Sequence, residues 1–285
     1  MRFHPLPRYA TLELTGADRI AFLQGQVTQD LARLTPETVL RCALLNAAGR
    51  VLAVATLVAR PESVVLVVPA ELAAPIAAHL GRYVLRAKVR IAAAGALGVA
   101  GRAAPPAASA AAGAAHERLA DGASHLRLGF GELLLAPGEV LAPHLDANAA
   151  SGAAAFERAA VAAGEPIVVA ATRELWTAQM LNLDRLDGIS FTKGCYTGQE
   201  IVARTQHLGR IKRRMFRYGS AVPVAIAAGE PLTLEGAKVG EVVRVATDAA
   251  ATELLAVVAL ESRGRALTAA AGARLEPLEL PYALD

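Results

Sequence analysis

A chain of 285 residues exceeds a typical single domain and predicts two or three folding units around separate hydrophobic cores. With 54% hydrophobic, 19% charged and 4% aromatic residues, the composition excludes a disordered chain and describes a soluble globular protein inflated in alanine. The formal net charge of +3 is too small for nucleic-acid binding to follow from charge alone, so any such role must come from local clusters.

In chain order, ATLELTG alternates as a strand, and GADRIAFLQGQVTQDLARL carries Ile20, Leu23, Val27 and Leu31 at the spacing of one helix. VLRCALLN, VLAVATLV and SVVLVVP read as successive strands. AELAAPIAAHLGRYVLRAKV places Leu72, Ile76, Leu80 and Val84 on one helical face, closing a first α+β unit near residue 95. The small residues and paired prolines of AAPPAASAAAGAA, Ala103 to Ala115, fit a surface loop, which puts the boundary between the two units near 95–115. HLRLG and ELLLAP read as short strands before an alanine-rich helix through Phe156, which should stop at Gly164 because Pro166 cannot continue it. From Arg213 onward, short apolar runs separated by turn glycines predict a small antiparallel barrel or sandwich over 213–285, leaving 1–212 to the two α+β units.

The chemistry concentrates in KGCYTGQE, Lys193 to Glu200. Thr197 and Glu200 have the spacing of a capping box, and a helix beginning after Thr197 places Cys195 just outside its N-terminus, where partial positive charge favours an anion. Lys193 adds a full charge, so both effects favour thiolate over thiol, and Gly194 and Gly198 would let a ligand or partner approach the sulfur. Free cysteines are also commonly buried and inert, so the spacing leaves a reactive and a packing role open for Cys195, while Cys42 in the apolar RCALLN reads as core. Two cysteines give no disulfide framework, CxxC pair or four-ligand metal site, and no metal is expected on this chain alone.

Beyond the motif, Arg204, Arg210, Lys212, Arg213, Arg214 and Arg217 form a run without an acid that could meet RNA phosphates, an anionic ligand or an acidic partner, or simply be solvated. Asp184 and Asp187 could equally cap a turn or hold a ligand. No stretch approaches the ~20 strongly apolar residues of a membrane span, and the opening lacks an apolar leader core, so the cytoplasm is the expected location.

KGCYTGQE, with NLDRLDGISFTKG before it and IVARTQHLGRIKR after it, resembles the signature of the YgfZ family, folate-binding proteins related to the T-protein aminomethyltransferase of the glycine cleavage system. LTGADRIAFLQGQVTQD, NAAGRVL, YVLRAKVRI and LELPYALD agree in order. The resemblance implies an α+β, three-lobed fold around a central channel: two interleaved α+β lobes and a C-terminal antiparallel β-barrel. It implies tetrahydrofolate or a derivative in that channel, and a part in assembling or repairing iron–sulfur clusters of client enzymes, including those that methylthiolate tRNA. Folate, iron–sulfur client enzymes and tRNA are thus the implied partners. The motif cysteine falls on Cys195, among Lys193, Gly194, Tyr196, Gly198, Gln199 and Glu200, and the aromatic positions associated with folate fall on Tyr9 and Phe156, where tryptophan is expected in the best-known members. T-proteins carry an acidic residue after their Asn-x-x-Gly segment. Here no Asp or Glu lies between Asn46 and Arg60, so folate-dependent aminomethyl transfer is the lower-ranked alternative, and whether the chain is an enzyme stays open. A cubane cluster usually takes four thiolates, so any cluster contact through Cys195 would be shared with a partner.

Overall fold

The structure is a computed structural model that describes residues 2–93, 97–104, 114–146, 149–207, 209–270 and 272–284. Most of the segment expected to be a surface loop, 105–113, lies outside the described residues.

The chain opens with a two-residue strand, β1 (His4–Pro5), and enters its first sheet through β2 (Tyr9–Thr15). Helix α1 (Arg19–Gln24) leads to β3 (Val39–Leu45), β4 (Val51–Ala59) and β5 (Ser63–Pro69), and helix α2 (Ala70–Gly81) leads to β6 (Arg90–Ala93). These strands pair antiparallel in the order β3-β4-β5-β2-β6. Strands β7 (Gly98–Ala103), β8 (Ala115–Arg118), β9 (Ser124–Leu128) and β10 (Gly131–Ala136) recruit β1 into a second sheet, β1-β7-β10-β9-β8, with His4 opposite Gly101. After the short α3 (Gly138–Leu141), helix α4 (Ala149–Ala162) packs on β7 and reaches the third lobe. Helix α5 (Gln199–His207) precedes that lobe. It is a closed barrel of β11 (Arg213–Ser220), β12 (Pro231–Leu234), β13 (Ala237–Thr247), β14 (Thr252–Ala259), β15 (Leu267–Ala269) and β16 (Arg274–Leu278), in the order β11-β14-β13-β12-β15-β16.

The first two lobes exchange segments. β1 belongs to the second sheet, while Trp176, Leu181, Leu183 and Val202, far along the chain, pack into the first core with Leu12, Leu57 and Leu66. The unbroken apolar run of β5 follows from its position between two cores. Val64, Leu66 and Val68 enter the first, and Val65 and Val67 enter the second beside Phe130 and Phe156.

Two helices are shorter than their periodicity predicts. The helix expected to run through Leu31 ends at Gln24, because Thr28 instead bonds the Ala43 carbonyl and Val27 bridges Leu44, adding to β3; Leu31 heads a separate 3₁₀ turn. Similarly α2 ends at Gly81, and Val84 lies in the loop that follows. Gly164, at φ +69°, adopts the left-handed conformation expected where α4 stops.

Candidate functional site

The loop that carries Cys195 is fastened at three points. Lys193 Nζ donates to the carbonyl of Gln24, the last residue of α1, and to those of Val27 and Gln29 in the loop that follows, at 2.6, 2.8 and 2.8 Å. The Thr197 amide donates to the Gly25 carbonyl at 3.1 Å. Gly198, at φ +79°, lies so close to the Asn46–Gly49 turn that a Cβ would fall 2.5 Å from the Asn46 oxygen, and Gly49 in turn lies under Ile201. Thus three of the sequence motifs, around Gln24, Asn46 and Lys193, meet at one place.

Within this arrangement two expectations change. Helix α5 begins at Gln199, and the side chain that returns to the backbone is that of Gln199, whose Oε1 accepts from the Tyr196 amide at 3.1 Å; Glu200 is exposed in the first turn. The Thr197–Glu200 capping box is replaced by this earlier closure. Lys193 spends its three protons on carbonyls and has none left for the Cys195 sulfur. Burial pushes its pKa down to about 8, and its ammonium lies 5.1 Å from the Tyr196 ring centre. Lys193 therefore holds the loop together and presents Cys195, which is exposed beside an equally exposed Gly194 with open space around it. Cys42 is buried in β3, and burial pushes its thiol pKa up. A thiol reagent added to the native protein is expected to titrate Cys195 at once and Cys42 only after denaturant; prompt reaction of both would contradict the burial of Cys42.

A cleft opens between the first two sheets. Its main cavity, about 170 Å³, is lined among others by Thr38, Thr56, Leu128, Phe130, Glu165 and Asp187; a smaller one of about 50 Å³ shares Thr56, Leu128, Phe130 and Glu165 and adds Tyr9, Phe156 and Arg244. Arg41 Nε donates to Glu165 Oε1 at 2.8 Å, its Nη2 to Oε2, and its Nη1 to the Leu186 carbonyl. Arg33 makes a second two-pronged pair with Asp187 at 2.9 and 2.6 Å, which holds that carboxyl below the usual carboxylate range. Gln29 donates to the Asp187 carbonyl at 2.6 Å and accepts from Lys193 with its own, so the cleft and the cysteine loop share a hydrogen-bonded wall.

Tyr9 and Phe156 come together in the smaller cavity, their rings 6.2 Å apart and edge to face. Phe156 is only 2% exposed, wedged between Tyr9 and Phe130, and forms the floor of the cleft. The Tyr9 hydroxyl donates to Glu157 Oε1 at 2.9 Å and accepts from Arg244 Nη2 at 2.6 Å; burial raises its pKa well above the usual range. Arg244 also donates to Glu157 Oε2 at 3.0 Å and to the Glu165 carbonyl at 3.2 Å. Strand β2, helix α4 and barrel strand β13 are joined through these side chains.

The sequence reading passed over Arg41, Phe130, Glu157, Glu165 and Arg244. A usable signal was present: Arg41 interrupts an otherwise apolar strand and Arg244 stands between Val243 and Val245, and a buried guanidinium requires a partner. The basic run divides. Arg213 pairs with Glu241, Arg214 with Asp184, and Arg217 with Glu253, while Arg204, Arg210 and Lys212 are exposed. Asp184 thus answers a buried cation, whereas Asp187 stands in the cleft wall. Among the described residues no group of three or more His, Cys, Asp or Glu could hold a metal, and no helix is long and apolar enough to cross a membrane.

In the cleft Phe130 and Leu128 offer apolar surface, and each Glu165 oxygen, with one lone pair on Arg41, retains another for an N–H donor. Arg33 stands in the same wall for an anionic tail.

No family model matches the chain. It is 35% identical over 243 residues to the tRNA-modifying protein YgfZ of Yersinia pseudotuberculosis serotype O:1b (strain IP 31758), covering 80% of this chain and 73% of that protein. Against the protein of the same name from Serratia proteamaculans (strain 568) it is 34% identical over 229 residues, 74% of this chain and 68% of that one. Among solved structures, glycine cleavage system aminomethyltransferase T from Bartonella henselae superposes with a TM-score of 0.71 over 98% of this chain and 86% of its own, at 18% identity. That likeness establishes the expected three-lobed fold.

Proposed function

The chain belongs to the YgfZ family, and from that premise we propose that it is a cytoplasmic folate-binding accessory protein for the assembly or repair of iron–sulfur clusters in client enzymes, including those that methylthiolate tRNA. The observation that carries the folate reading is the cleft in which Arg41–Glu165, Arg33–Asp187 and Phe130 converge. Glu165 would accept from the N–H groups of a pterin, Phe130 and Tyr9 would supply apolar and aromatic contact over the Phe156 floor, and Arg33 would meet an anionic tail. A one-carbon derivative of tetrahydrofolate bound there would supply an exchangeable one-carbon group. Cys195, exposed on its fastened loop, is the group this chain can offer to a sulfur or cluster atom of a partner. The relatives named tRNA-modifying proteins support the link to tRNA, and the exposed Arg204, Arg210 and Lys212 give it an electrostatic footing.

Titration with tetrahydrofolate, followed by fluorescence, is expected to show saturable binding that weakens roughly tenfold in Glu165→Gln, the scale of one lost charge-assisted hydrogen bond. Unchanged affinity would remove Glu165 from the site. In cells lacking their own family member, the chain is expected to restore 2-methylthio modification of tRNA and Cys195→Ala to fail at equal protein level; full restoration by the variant would make the thiol dispensable.

Aminomethyl transfer ranks lower. Where β4 lines the cleft it presents Val54, Ala55 and Thr56, and no carboxylate. Product formed from methylene-tetrahydrofolate and a small amine acceptor, above the uncatalysed rate, would reverse that order.

A further inference from the structure

The segment after α2, RYVLRAKVR over residues 82–90, a loop running into the first residue of β6, serves neither the cleft nor the cysteine loop. It holds Arg82, Arg86, Lys88 and Arg90 and no carboxylate, and at its tip Leu85 is 91% exposed. Elsewhere Arg33, Arg102, Arg213 and Arg217 each face a carboxylate, but none of the ion pairs among the described residues engages the four cations of this loop. The loop is held firmly. Gly16, at φ +107°, lies so close that a Cβ would fall 2.1 Å from the Lys88 oxygen, and the Lys88 amide donates to Asp18 Oδ2 at 2.7 Å. Helix α1 starts at that contact, with Ala17, Ile20 and Ala21 exposed. Its other end carries the cysteine loop through Gln24 and Gly25. Six helical residues span about 9 Å, so the basic loop and the Cys195 loop flank one short helix.

We infer that Leu85, on a segment that also carries Arg82, Arg86, Lys88 and Arg90, docks a folded protein partner that presents an apolar pocket edged by carboxylates. A leucine standing free in water stabilises a complex when it fills a pocket, and cations near it in sequence that face no carboxylate, Arg82 bonding only His79 Nδ1 at 2.7 Å, steer and orient an acidic surface. The same side chain offers no ring on which a nucleobase could stack, and the neighbouring Tyr83 ring is engaged by His79, 5.3 Å away. The docked protein would lie within reach of Cys195; only its identity as the client rests on the function proposed above.

The full chain is tested with Leu85→Ser and with the double variant Arg86→Glu/Lys88→Glu. In cells lacking their own family member, each is expected to lower 2-methylthio tRNA roughly tenfold, the scale of losing an interface anchor, with melting temperature and tetrahydrofolate affinity unchanged. Full restoration by both variants would overturn the inference. So would loss, in the variants, of a binding to purified tRNA or to phosphatidylglycerol vesicles that the unaltered chain shows, since the surface would then serve RNA or lipid. Should the unaltered chain restore nothing, the client reading fails separately. A photo-crosslinking residue at the neighbouring exposed position 83, with Leu85 kept, then decides: an adduct to one acidic protein, abolished by Arg86→Glu/Lys88→Glu, supports docking, and no such adduct overturns it.

Discussion

Replacing Asp184 with alanine is expected to cost about 3–5 kcal/mol of stability, because it strands a buried guanidinium. Arg214 stands on the first barrel strand with its side chain 5% exposed, and Asp184, 8% exposed, answers it through two bonds of 2.9 and 2.8 Å. The other acceptors of Arg214, the Gln179 carbonyl at 3.1 Å and Asn182 Oδ1 at 3.3 Å, are neutral and cannot balance its charge. All three acceptors lie in the segment that returns to the first lobe, so the loss falls on the seam between that lobe and the barrel. Urea denaturation followed by the fluorescence of Trp176, the single tryptophan, measures it. The double variant Asp184→Leu/Arg214→Met is expected to recover most of the loss, since an apolar pair leaves no charge to balance. A loss below about 1 kcal/mol in Asp184→Ala would mean that water reaches Arg214.

Gly198→Ala is the second large effect, expected at about 3 kcal/mol or more from left-handed strain together with overpacking. The new methyl would meet the Asn46 oxygen at 2.5 Å, the Leu45 side chain at 2.9 Å and the Gly49 Cα at 3.2 Å, so either the cysteine loop or the Asn46–Gly49 turn has to move. Gly194→Ala provides the control, because nothing lies within 4 Å of the added carbon and a change within about 0.5 kcal/mol is expected. Thermal melts of the two variants side by side separate them, and equal melting temperatures would mean that the close approach at Gly198 is not maintained in solution. Gly198→Ala is also expected to slow restoration of tRNA modification, since it displaces the loop that presents Cys195.

Much of the fold was legible because apolar periodicity reports burial directly. β3, β4 and β5 appear where their runs place them, and the turn glycines after Arg213 close a barrel. The failures share a physical cause. The helices expected beyond Gln24 and beyond Gly81 keep a helical spacing of apolar side chains, but the Thr28 amide goes to Ala43 and the Lys88 amide to Asp18, while the amides just past Gly81 close tight turns onto His79, Leu80 and Gly81, and local spacing carries no trace of such partners. The site behaved in the same way. That Lys193 and Cys195 are near neighbours in sequence was visible, but not that the carbonyls of Gln24, Val27 and Gln29, at and just beyond the end of α1, claim the lysine. Arg41 and Arg244 could have been suspected from their apolar flanks, whereas Glu165 and Glu157, on ordinary helical and loop sequence, are identified only by what they touch.

The exchange of segments between the first two lobes also sets a timetable for synthesis. His4 waits for Gly101, and at 5–20 residues per second these partners leave the ribosome roughly 5–20 s apart. Throughout that interval Phe3 and Leu6, buried in the finished fold, have no second sheet to join, and the first core stays open still longer, until Trp176 emerges to fill it. A chaperone at the exit tunnel thus has a defined window in which to act, and the arrival of buried tryptophan fluorescence on stalled chains of increasing length would mark its end.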